Sequence, residues 1–166
     1  MFNYREITEV TDPHEEEVEL TKYSGATADK LHHMAKYFIE TNPPDNMIIV
    51  AGLNDILNDS RKNRSVNCAE VSNRVMGIGR TAKDKGVARV CISEILKPRF
   101  KDCHQAINDT NHLIRIACQK EGFTFVNQSD IGLSDLGNNP HVSRGGNLKL
   151  KHNNILSQCY TYDNSY

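Results

Sequence analysis

The sequence predicts an α/β domain in which a parallel sheet is covered by helices on both faces, giving three layers. Two observations carry this. Short, nearly continuous apolar runs at Met47–Ala51, Val87–Ser93 and Phe123–Val126 suit strands that are buried on both faces. Between them lie longer segments whose apolar residues recur at helical spacing. Strands alternating with helices build right-handed βαβ units and hence a parallel sheet.

Taken in order, residues 1–17 are polar, and Glu15, Glu16, Glu17 and Glu19 form an acidic cluster, so this end reads as a solvated N-terminal segment. Val18–Tyr23 sets Val18, Leu20 and Tyr23 among Glu and Lys, a strand pattern. Thr27 is placed to cap a helix from Ala28, whose Leu31, Met34, Ala35, Phe38 and Ile39 share one face. Pro43 and Pro44 stop it. After the strand at Met47–Ala51, Gly52–Asp55 (Gly-Leu-Asn-Asp) reads as a loop. A second helix from about Val66 to Lys85 uses Val71, Val75, Ile78 and Ala82. Val87–Ser93 follows as a strand, with Pro98 in the loop behind it. Ile107, Leu113, Ile114, Ala117 and Cys118 define a third helix, closed by Gly122. Phe123–Val126 is the next strand, and Asn147–Leu156 a last helix beyond a polar loop. One domain, 18–157, holds all of these, with 158–166 as a C-terminal tail.

Composition removes several function classes. A chain of 166 residues suits one domain with a real core. A net charge of −1 argues against a nucleic-acid surface that works by bulk electrostatics. No run of 18 apolar residues is present, so no membrane span is expected, and the first ten residues have no signal-peptide pattern. The five cysteines, Cys68, Cys91, Cys103, Cys118 and Cys159, are odd in number and lack a C-x-x-C. They do not read as a disulfide framework, and Cys91 and Cys118 read as small core residues. A reducing, cytoplasmic setting fits. Gly77-Ile-Gly79-Arg-Thr-Ala82 spells a dinucleotide fingerprint, but it lies inside a helix rather than at a strand-to-helix turn and reads as close helix packing. His32, His33, His104 and His112 show no zinc-ligand spacing, and Lys97, Arg99 and Lys101 read as a solvated loop. No cofactor or metal is called for.

Three motifs remain. Tyr23-Ser-Gly-Ala-Thr27, Gly52-Leu-Asn-Asp55 and Asn138-Asn-Pro-His141 occur in that order, the last followed by Gly-Gly-Asn and a helix. Gly25, Asn54 and His141 each follow a predicted strand end, where open α/β sheets bind ligands. This pattern resembles the second, third and fifth sequence blocks of the SGNH/GDSL-type esterases, over roughly residues 18–157. The resemblance implies a flavodoxin-like sheet and hydrolysis of a small-molecule ester or acyl group without a cofactor. It implies that the Gly25 N–H and the Asn54 amide form an oxyanion hole, that His141 is the base, and that position 138 orients the base. Each role is chemically sound. Glycine leaves its N–H open to close approach, a neutral amide donates to an oxyanion, and histidine accepts a proton near neutrality. Asp55, when ionised, cannot donate to an oxyanion, but it can brace the loop.

Two departures bear on activity. No Gly-Asp-Ser occurs in the sequence, and position 138 is Asn rather than Asp. Ser24 and Ser143 lie near Gly25 and His141, but neither occupies the family's nucleophile position. Asp130 and Asp135 are the upstream carboxylates that remain to orient His141, Asp135 being the nearer. Losing the nucleophile costs on the order of 10⁶ in turnover, and an Asp-to-Asn change at the orienting position about 10⁴. The expected function is an esterase-like hydrolase, truncated or decayed and inactive; a non-catalytic binding or scaffold module is the alternative.

The first strand of the flavodoxin-like order 2-1-3-4-5 is then expected to be missing. Phe2–Val10 is the only local segment to replace it, and Arg5, Glu6 and Glu9 unsuit it for a doubly covered position. Val18–Tyr23 is therefore expected either to pair directly with Met47–Ala51 or to leave a gap for a partner chain, with self-association as the consequence.

Overall fold

The structure is a computed structural model that describes residues 4–7, 19–23, 25–99 and 101–136 of the 166-residue chain. Its elements are β1 (Tyr4–Ile7), β2 (Glu19–Lys22), α1 (Ala28–Thr41), β3 (Asn46–Ile49), α2 (Leu53–Arg61), α3 (Cys68–Asp84), β4 (Arg89–Ser93), α4 (His104–Glu121), β5 (Thr124–Val126) and a 3-10 turn at Leu133–Asp135. The strands β3, β4 and β5 form a parallel sheet in that order, the 3-4-5 part of the expected arrangement. Register pairs Met47 with Val90 and Ile49 with Ile92, and Ile92 in turn with Phe125.

Both crossovers advance across the sheet in the same direction, so right-handed connections place α3 and α4 on one face. They pack against each other and against β4 and β5, and α1 packs on α3. Met47, Ile49, Val90, Ile92 and Phe125 face this helix layer, where Val75, Met76, Ile78, Ile107 and Ile114 close the core. Each such side chain, fully buried, contributes roughly 1.5–3 kcal/mol. Cys91 and Thr124 lie on the opposite sheet face, and the expected last helix, Asn147–Leu156, lies outside the described residues. No described helix is long and apolar enough to cross a membrane.

Helix ends follow ordinary chemistry. Asn67 accepts the Glu70 N–H at 3.1 Å to cap α3. Gly122, at φ +73°, closes α4 with its N–H on the Cys118 carbonyl. The end of α1 is held by the Asn42 N–H on Phe38 O and by the Thr41 hydroxyl, ahead of the two prolines.

Four expectations need correction. Gly52–Asp55 is not a loop: Gly52 precedes α2, and Leu53, Asn54 and Asp55 form its first turn. A nine-residue helix burying only Asp55, Ile56 and Leu57 shows too little periodicity to stand out. Residues 1–17 are not wholly irregular, since Tyr4–Ile7 forms β1. Phe38 is 37% exposed rather than on the buried side of α1. Finally, the strand within Val18–Tyr23 pairs antiparallel with β1 (Tyr4 opposite Lys22, Ile7 opposite Glu19) and has no ladder to β3. A segment with Arg5 and Glu6 suits a two-stranded ribbon, which need not be covered on both faces.

Of the two glycines in Gly77-x-Gly79, only Gly79 answers for close packing. A Cβ on Gly79 would stand 2.9 Å from the Phe123 ring and 3.2 Å from Val90 Cγ1, whereas one on Gly77 would meet only His32 at an ordinary 3.5 Å. Alanine is favoured over glycine by about 1 kcal/mol in a helix, but overpacking a core costs ~1–3 kcal/mol. Urea unfolding should therefore show Gly77→Ala stabilised by roughly 0.5–1 kcal/mol and Gly79→Ala destabilised by about 1 kcal/mol. Two equal shifts would show that α3 does not seat on β4 through Gly79.

Candidate functional site

Gly52 is where the site begins. Its φ is +106°, and an added Cβ would stand 2.7 Å from Ile95 Cδ1 and 3.3 Å from Val75 Cγ2. Both the left-handed backbone and the crowding demand glycine. The turn sends the chain from β3 straight into α2, so Asn54 and Asp55 fall in a helix first turn just past the carboxyl end of β3.

These two side chains grip one loop. Asn54 Nδ2 donates to the Ala26 carbonyl at 2.9 Å, and Asp55 Oδ2 accepts the Ala28 N–H at 2.8 Å. Ala28 is the first residue of α1. Thr27 occupies the cap position as expected but makes no side-chain cap bond; separately, Asp55, 27 residues beyond Ala28, accepts the N–H of the first helical residue. Asp55 is 5% exposed. Its other oxygen lies 3.5 Å from Arg74 Nη1, and Arg74 also reaches Asp29 at 3.4 Å and pairs with Glu70. Burial pushes the Asp55 carboxyl above its usual value; the Ala28 N–H and Arg74 offset only part of that.

The loop held in this way carries Gly25. Its φ is +70°, and an added Cβ would meet nothing within 4 Å. Backbone conformation, not crowding, is what requires glycine here. Among the described residues its N–H has no acceptor, while the next N–H, that of Ala26, points back to Tyr23 O at 3.4 Å. Gly25 and Asn54 are thus brought together: the Asn54 amide is bonded to the residue that follows Gly25. A primary amide has two N–H groups, so one remains to donate elsewhere. Ser24, Asn138, His141 and Ser143 lie outside the described residues.

The remaining polar residues near the strand ends have structural work. Asp135 Oδ2 accepts the Gly132 N–H at 3.0 Å within its own turn. Arg99 donates through Nε and Nη2 to the Leu136 carbonyl, so it is a clamp rather than part of a solvated basic loop. His32 bonds Thr81 at 2.7 Å and His104 bonds the Pro98 carbonyl at 2.6 Å, both tying elements together rather than lying on a solvated face. Asn111 was not singled out in the sequence, yet it is buried and pairs with both backbone groups of Ile95, at 2.9 and 3.0 Å. Arg74 was also missed; an Arg four residues after Glu70 reads only as a surface helix pair. No cysteine among the described residues offers a substitute nucleophile at the Gly25–Asn54 loop. Cys91, Cys103 and Cys118 are buried, and burial raises all three thiols, Cys118 to about 12. Among the described residues no group of three or more potential metal ligands forms.

The sign of the Asp55 shift makes a prediction. Its folded value is raised, so the folded protein keeps this proton at a pH where the unfolded chain, near 3.9 or so, has lost it. The stability it contributes is fully present below the unfolded value and is lost as pH rises through the folded one. Denaturant unfolding from about pH 3 to about pH 7 should show the wild type losing stability relative to Asp55→Asn. A difference that stays flat or grows with pH would mean that Ala28 and Arg74 compensate the charge fully.

No protein-family model and no curated protein sequence matches the chain. Solved structures do match. The chain is similar to a GDSL-like lipase from Bacteroides thetaiotaomicron, with a TM-score of 0.66 at 18% identity over 82% of this chain and 71% of that one. It is similar to an acetyl-xylooligosaccharide esterase from Geobacillus, with a TM-score of 0.67 at 15% identity over 84% of this chain and 71% of that one. An α/β hydrolase from the metagenome of Lake Arreo, Spain, gives 0.63 at 16% identity over 81% and 68%. Identities this low speak to architecture and not to chemistry. On that evidence, the chain has the SGNH/GDSL-type hydrolase fold.

Proposed function

We propose that this chain carries the oxyanion-binding side of an ester- or acyl-hydrolase site and does not itself turn over esters. One observation supports the first half above the others. The Asn54 amide is tied to the loop of Gly25, whose own N–H donates to no described residue. Two neutral donors on one loop edge, beyond a strand's carboxyl end, suit a carbonyl oxygen that gains negative charge. The second half rests on the sequence, in which Gly-Asp-Ser does not occur and position 138 is Asn. In this reading His141 is the base and position 138 its orienting neighbour. The ligand is a small ester, an acyl group or the carboxylate released from one. The four free thiols among the described residues suit a reducing, cytoplasmic setting.

The alternative is a binding or scaffold module that keeps the fold and the donors without the chemistry, and the missing nucleophile block favours it. A fluorophosphonate probe separates the two, since only an activated serine reacts with it. The expected results are no labelling, and cleavage of a short-chain nitrophenyl ester no faster than by His141→Ala. Labelling together with turnover well above that variant would show a working serine and refute the inactive reading, with Ser24 and Ser143 the first to replace.

A further inference from the structure

We propose that Asp55 is a positioning residue that sets the spacing between Gly25 and Asn54, and that its bond to the Ala28 N–H is the means. The inference rests on the oxyanion reading above, and it concerns how that site is held. Thr27 has the side chain and the extended backbone (φ −78°, ψ 167°) of a helix cap, yet makes no cap bond. A cap bond from Thr27 would reach the N–H of Asp29 or Lys30 and fix α1 alone. The bond from Asp55 takes the first N–H of the helix, that of Ala28, and fixes α1 to α2 one residue after Asn54.

The geometry makes the two bonds a pair. Asn54 and Asp55 are adjacent in the first turn of α2; Ala26, in the loop after β2, and Ala28, the first residue of α1, flank Thr27. With both bonds made, at 2.9 and 2.8 Å, the loop cannot slide along α2 or swing away from it without breaking one of them. With only the Asn54 bond, the loop pivots on a single contact at the edge of the site. The buried member of the pair is the Asp55 bond, which carries the greater penalty if broken, because Asp55 has little access to water. Arg74 keeps the carboxylate from turning away, through its contact with the second oxygen. The charged groups around Asp55 are Arg74 from α3 and, on the far side of Arg74, Asp29 from α1 and Glu70 from α3.

Nuclear magnetic resonance of the whole chain tests this with acetate as the probe anion. In the wild type, the bonded Asn54 Nδ2 proton should exchange slowly with water, and acetate should shift the Gly25 N–H and the Asn54 amide together. In Asp55→Ala that proton should exchange about tenfold faster or more, and the acetate response at Gly25 should weaken while core amides such as Ile92 and Ile114 keep their shifts. Asp55→Asn retains an acceptor oxygen for the Ala28 N–H, so it should restore both signals. If folded Asp55→Ala keeps the protection and the acetate response, Asp55 is a helix cap and nothing more, and the proposal falls. It also falls if the wild type shows no coupling across the hydrogen bond between the Ala28 nitrogen and the Asp55 carboxyl carbon, a measurement that needs no variant to fold. A wild type whose Asn54 protection depends on Asp55, but whose amides ignore acetate, would uphold the positioning role and refute the oxyanion reading.

Discussion

A backbone that leaves a strand and turns before its helix has polar groups with no ladder to join, and burial makes each of them costly. That constraint shapes this molecule, and the buried bond from Asp55 to the Ala28 N–H is its most consequential answer. The same solution recurs at other strand ends. Asn111 reaches from α4 to satisfy both backbone groups of Ile95 after β4. Glu94 accepts the Gln128 N–H at 2.8 Å after β5, and the Gln128 amide donates to Ser93. At Ala28, Ile95 and Gln128 an Asp, Asn or Glu side chain from elsewhere in the chain supplies the backbone partner.

The pattern explains which parts of the structure were legible in the sequence. The helices α1, α3 and α4 and the three parallel strands rest on one-dimensional signals, apolar spacing and apolar runs, which a single chain displays openly. Helix α2 does not, because it is short, two of its first-turn side chains hold the loop, and its Asn-Asp start looks like a turn. The pairing of β1 with β2 was hidden for a different reason. Arg5 and Glu6 argued against Phe2–Val10 as a doubly covered strand, but they do not argue against a two-stranded ribbon, which imposes no such demand. Within the site, Gly25 and Asn54 were visible as motif residues. The Asp55–Ala28 bond was not, because nothing in the sequence says that a residue 27 positions on reaches back to the first N–H of α1.

The two site glycines show how one residue type answers to different physics. Gly52 is fixed twice, by φ +106° and by Ile95 at 2.7 Å from its would-be Cβ. It is as much a packing residue as a turn residue. Gly25 is fixed by its φ alone and faces open space. A Cβ there would strain the backbone without touching the protein, so the shape of the loop alone calls for glycine at this position. That is the distribution expected if Gly52 builds the scaffold and Gly25 presents a donor to something that comes and goes.

What such donors can do depends on what attacks the bound group. An oxyanion hole accelerates a reaction because it binds developing charge more tightly than the neutral carbonyl. Without a nucleophile no such charge develops, and the same donors meet only ground states. A neutral ester gains little from them beyond an ordinary hydrogen bond, because water offers the same. A carboxylate gains more, since its charge is already present and charge-assisted bonds are roughly twice as strong. The Asp55 carboxylate sits behind the donors rather than among them, screened by Arg74 and engaged with Ala28, so its charge need not repel an anion at the loop edge. On the proposed reading, donors at this loop edge that meet no attacking nucleophile prefer the acid to the ester.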